Sequence, residues 1–204
     1  MPGSYAQAVQ PYTQCVRICR ELGPSWQLAA SHLNLGAALL HTGRIEDAVD
    51  AFEEALRLYR DLGDHVFAAR VLNHLAHVAL ARDDLARADR LARLSLAGAA
   101  EHGERQGTAE ALETLAALAA QRTQPERAAE LAGAAATIRE AIASRAAPFD
   151  TAIAGRIIDA AEARTDPEQW SHAWNHGRGL NRDEAVAHAL GEHDNNAARG
   201  EATD

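Results

Sequence analysis

Between Leu33 and Leu56 the apolar positions fall into two stripes separated by a Thr42-Gly43 break. Leu33, Gly36, Ala37 and Leu40 recur at helical spacing, as do Ile45, Ala48, Phe52, Ala55 and Leu56 after the break. That spacing predicts two amphipathic helices, each with one buried face. Glu46 and Asp47 fall in the first turn of the second helix, where negative charge suits the helix dipole. Gly63 supplies a residue that can turn left-handed and so predicts where that helix stops.

The pattern returns at a step of 40 residues without insertion. Gly23, Gly63 and Gly103 keep the step, as do Ala8, Ala48, Ala88 and Ala128, and Leu35, Leu75 and Leu115. Tyr5, Ile45 and Leu85 correspond too, and Pro125 breaks that series. "RDDLARAD" and "RTQPERAAE" repeat the break with other residues. A helix pair of this kind cannot hide its apolar faces alone, whereas stacked pairs bury a continuous core. The expected fold is therefore all-α, a helical-hairpin superhelix (α-solenoid) over residues 3–142 with about three and a half helix pairs, its concave face lined by the first helix of each pair. The chain starts on what reads as the second helix of a pair, so a longer array is expected, with the outer face of that helix left apolar.

Beyond Ile142 the period fails, and "SRAAPF" reads as a linker. Residues 151–190 are expected to form capping helices. The first turns Ile153, Ile157, Ile158 and Ala161 inward. The second opens with Asp166 as N-cap and Pro167 at the first helical position, and docks Trp170 and Trp174 on the array. In the third, Asn181 and Glu184 have capping-box spacing. The polar tail, 191–204, is expected to be disordered.

"HLNLGAALLHTGRIEDAVDAFEEALRL" resembles the tetratricopeptide repeat family, with the Leu35-Gly36 pair in its first helix and Ala48, Phe52 and Ala55 in its second. "VLNHLAHVAL…DLARADRLARLSL" and "ALETLAALAA…PERAAELAGAA" are similar copies with alanine in place of the glycine and the aromatic. The resemblance implies a tetratricopeptide-like array closed by a C-terminal helical cap, and a step of 40 rather than the family's usual period implies longer helices. Residues 104–190, above all "GRGLNRDEAVAHAL", resemble the end of large bacterial regulators that join an ATPase module to such repeats. This implies an interaction or sensor arm of a transcriptional or signalling regulator.

Composition agrees with helices and narrows the chemistry. Of 204 residues 47% are hydrophobic but only 4% aromatic, so alanine and leucine carry the burial. With 20 basic and 29 acidic residues the net charge is −9, which argues against direct nucleic-acid binding. Cys15 and Cys19, four apart on a helix, are expected to be small buried thiols. With no signal peptide and no long apolar run, a soluble cytoplasmic protein is expected, without membrane contact.

No phosphate loop, nucleophile motif or helix-turn-helix is apparent, so neither catalysis nor a cofactor is expected. The candidate site is the groove lined by the first helices: Asn34, His41, Arg70, Asn73, His74, His77, Glu110 and Glu113. Arg70 with Asn73 suits a peptide carboxylate or backbone amide, and His74 with His77 would add pH-dependent charge. Glu110 and Glu113 favour a basic segment. The expected partner is a protein, a peptide, a small effector or the attached regulator domains. The alternatives are a freestanding scaffold that homodimerises through its first helix, and a metal-binding or enzymatic protein using His172 and His176, with Glu168 one turn before. The metal alternative lacks an HExxH motif and any identifiable further ligand.

Overall fold

The computed structural model describes residues 3–23, 25–142 and 148–191. The expected tail from 192 onward and most of the linker before Pro148 lie outside the described residues. Among those described there are ten helices and no strand: α1 (Gly3–Glu21), α2 (Trp26–His41), α3 (Ile45–Asp61), α4 (His65–Ala81), α5 (Leu85–Glu101), α6 (Arg105–Gln121), α7 (Pro125–Ala141), α8 (Pro148–Glu162), α9 (Pro167–Gly179) and α10 (Arg182–Leu190). The all-α, tetratricopeptide-like class expected from the sequence is the one observed.

The helix pairs recur at the 40-residue step, and within each step the reversals recur every 20 residues. Helices α3 to α7 are each 17 residues long and are joined by three-residue turns. The middle residue of each turn has positive φ: Gly43 (79°), Gly63 (71°), Asp83 (59°), Gly103 (65°) and Thr123 (57°). The next residue sends its N–H back five residues, as from Arg44 to the Leu39 carbonyl and from Asp64 to that of Tyr59, both at 2.9 Å. This bond satisfies a carbonyl that the helix end would leave open. The same residue then accepts from the next helix, as Arg44 does from Ala48 N–H and Asp84 from Ala88 N–H. One turn both ends a helix and starts its successor.

The chain divides into two compact units, Met1–Leu91 and Ala92–Asp204. In the first unit α2 packs on α1 and α3, and α3 on α4. A Cβ at Gly36 would lie 2.7 Å from the Phe52 ring, so the missing side chain on α2 is what admits the ring from α3. Cys15 and Cys19 correct the expectation of buried thiols, for Cys15 is exposed and Cys19 half-buried. The reason is that α1 turns Val16 inward and leaves Cys15 and Ile18 facing outward.

In the second unit α6 packs on α7, α8 lies on α6 and α7, and α9 crosses α7. Ala154, Ile158 and Ala161 of α8 are buried, while Ile153 and Ile157 are half-buried. Trp170 is buried and Trp174 half-buried on α9. The crossing is set by glycines. A Cβ at Gly133 would meet the Trp174 carbonyl, and one at Gly177 would meet the Glu130 carbonyl, so the two backbones touch there. Asp166 caps α9 ahead of Pro167, and Asn181 with Glu184 forms the full capping box of α10.

Thr123 is the costly member of the turn series, because a β-branched side chain is strained at positive φ. Thr123→Gly is expected to raise the unfolding free energy by about 1 kcal/mol, the relief of strain exceeding the entropy that glycine adds to the unfolded chain. Asp83→Gly should gain less, since aspartate tolerates this region. Urea titration measures both, and an unchanged or lower midpoint for Thr123→Gly would contradict the strain.

Candidate interaction surface

Asp64 starts α4 by accepting a hydrogen bond from the Phe67 N–H at 3.0 Å, and Ser25 does the same for α2 with Leu28 at 3.2 Å. Arg70, Asn73, His74 and His77 then follow one another at helical spacing along one side of α4. Asn34 on α2 is exposed and Arg70 half-buried. His41 is half-buried, its ring stacked on Tyr5 with centroids 4.4 Å apart. Asn73 is only 3% exposed, and its Oδ1 has no hydrogen-bond partner among the described residues.

His74 and His77 are buried as well. His74 stacks on Phe52 at 5.2 Å, with planes 10° apart, and meets the edge of His77 at 6.1 Å. Burial, reinforced by the nearby charges of Arg70 and His41, holds the His74 pKa down to about 3. The pH-dependent charge expected of His74 is therefore absent near neutrality, and its ring acts as a packing group.

In the second unit Glu110 is buried and accepts from Gln106 Nε2 at 2.8 Å. Glu113 accepts a two-pronged hydrogen bond from Arg139 on α7, at 2.5 and 2.8 Å. A cation for Glu113 is thus supplied within the chain, whereas the sequence had pointed it at a basic segment. Arg139 lies 26 residues further on, and no local spacing announces it.

On α9, His172 and Glu168 are exposed. His176 Nδ1 turns to Glu130 at 3.2 Å, and His188 Nε2 of α10 reaches the other oxygen of Glu130 at 3.0 Å. No group of three histidine, cysteine or acidic side chains among the described residues is arranged to hold a metal. No described helix is long and apolar enough to cross a membrane.

The buried state of His74 has a measurable consequence. The unfolded imidazole takes up a proton near its ordinary pKa of about 6.5, whereas the folded one does so only at about 3. Between these values the unfolded state binds more protons, so stability is whole above the upper value and falls as pH drops through the window. Wild type is expected to lose up to about 1.4 kcal/mol per pH unit more than His74→Phe, which keeps a ring against Phe52. Urea titrations at about pH 7 and about pH 5 compare them. Parallel losses would mean that His74 is not the group responsible.

No curated protein matches the chain. The tetratricopeptide repeat family model matches residues 3–61, the stretch that contains α1, α2 and α3. The match falls on the segment where Gly36 admits Phe52, so this part of the chain is similar to tetratricopeptide repeats, which in general mediate protein interactions.

Proposed function

We propose that this chain is a non-catalytic interaction and sensor module of a bacterial transcriptional or signalling regulator, working in the cytoplasm. It holds a peptide, a protein partner or a small effector against the first-helix face of α2 and α4, and occupancy shifts the array and the domain attached to it. The observation that carries this is Asn73. Its amide oxygen is buried without a donor among the described residues, a state that costs about 1–3 kcal/mol. A backbone N–H from a bound segment relieves that cost. Arg70, one turn earlier and half-buried, supplies a guanidinium for a carboxylate or carbonyl of the same segment. Asn34 and His41 extend the face along α2. The regulator setting rests on the resemblance of residues 104–190 to the ends of such proteins.

The test compares wild type with Arg70→Ala/Asn73→Ala as bait. Arg70 is half-buried and Asn73 buried, so circular dichroism and a urea titration first establish that the double variant is folded. Partners held by wild type are expected to bind the double variant on the order of tenfold more weakly. Equal retention by a folded double variant would remove this face from consideration.

Self-association is the second reading, favoured by Ile18 and Leu22, which are 45% and 81% exposed one turn apart near the end of α1. Light scattering is expected to show a dimer that Ile18→Ser/Leu22→Ser converts to monomer. A monomeric wild type at all concentrations sinks that alternative.

A further inference from the structure

A pocket of about 500 Å³ lies between α1 and α3 with α2 as its floor, a size common for small-molecule sites. His32 of α2 lines it. The residue is 6% exposed, and neither Nδ1 nor Nε2 has a hydrogen-bond partner among the described residues. Desolvation holds its pKa below the ordinary value, so the ring is neutral and offers one donor and one acceptor. The internal repeat shows that this is a departure. The positions 40 and 80 residues on are Leu72 and Leu112, so the packing does not itself call for an imidazole. A polar side chain with two orphaned nitrogens in a leucine position points to a ligand.

The charges on the walls say which kind. Arg44 is already paired with Asp47 at 2.6 Å, and Glu54 with Arg57 at 2.7 Å. That leaves Arg20 on α1 and Asp50 on α3, neither of which has an ion-pair partner among the described residues. One unmatched cation and one unmatched anion thus stand on facing helices. Arg20 and Asp50 both line the pocket, with exposed side chains. Val16, Leu35, Leu39 and Ala51 add an apolar lining.

The geometry points to a binding site for a small zwitterion with an aliphatic side chain, of the free amino-acid type, its carboxylate shared between Arg20 and the neutral His32 ring and its ammonium toward Asp50. This site is independent of the partner face proposed above. His32 and Leu39 stand two residues from Asn34 and His41 respectively, about 200° around α2, so the two sets lie on nearly opposite sides of the helix.

L-Leucine is the probe, followed by calorimetry and by the imidazole NMR signals of His32. Leucinamide, which lacks the carboxylate, and 4-methylpentanoate, which lacks the amine, are the controls. Leucine is expected to shift the His32 signals and saturate below about 10 mM, with both controls weaker on the order of tenfold. Arg20→Gln and Asp50→Asn change exposed side chains and should each weaken leucine binding by a similar factor while the protein stays folded. His32→Leu, which restores the residue of the later repeats, should fold and bind no leucine. An absence of shifts at His32, equal binding of 4-methylpentanoate or leucinamide, or unchanged leucine affinity in folded His32→Leu each overturns the proposal.

Discussion

The structure depends on a reversal made in three residues. Each helix from α3 to α7 is entered from such a turn, and each turn has a left-handed residue at its centre. The carbonyl five residues before the turn's last residue receives that residue's N–H, which fixes where the helix stops. Because the same residue accepts from the next helix, the phase of one helix is handed to the other. Position four of each new helix is then a small residue, Ala48, Ala68, Ala88, Thr108 or Ala128, and all five are buried. A tight reversal brings two backbones close, and only a small side chain fits at the point of approach.

Close approach also explains how a chain with so few aromatic residues builds a core. In the clearest copy the helix pair is filled by a ring entering a groove, Phe52 over Gly36. In later copies Ala76 and Ala116 replace the glycine, and Ala92 and Ala132 replace the ring, all of them buried. The large and absent side chains give way to a methyl group on each helix, a smaller total volume that lets the two helices meet without a groove. Gly133 and Gly177 take the logic to its limit, with α7 and α9 in backbone contact and no room for a single methyl. Arg178 and Glu140 then tie the edge of that crossing with paired bonds at 2.8 Å.

What was legible in the sequence was what local chemistry decides. The repeat step follows from like residues 40 apart, and the Asp166 and Asn181 caps and the left-handed Gly63 from residues within a turn of one another. The 20-residue step was harder to see because Asp83 and Thr123 hold glycine positions. Features set by distant partners were not legible. Glu113 finds Arg139, His176 and His188 converge on Glu130, and Cys15 is exposed because Val16 takes the inward place. His32 had a signal, the leucines at 72 and 112, but a histidine on an apolar face reads as ordinary core until its nitrogens are found without partners.

The pocket and the proposed partner face are joined by packed groups in the first unit. Ala51 lines the pocket, and its neighbour Phe52 fills the space over Gly36 and stacks on His74. His74 in turn follows Asn73 directly on α4. Contiguity is not coupling, because a ligand shifts an equilibrium only by its differential affinity for two arrangements. The Phe52 ring supplies the constraint such a shift would work against. It is fully buried between α2 and α4, so a movement of α3 at the pocket cannot be absorbed locally without opening a cavity or displacing His74. The pocket is thus walled by the helix whose ring supports α4. That arrangement gives an effector in the pocket a physical route to the Asn73 face.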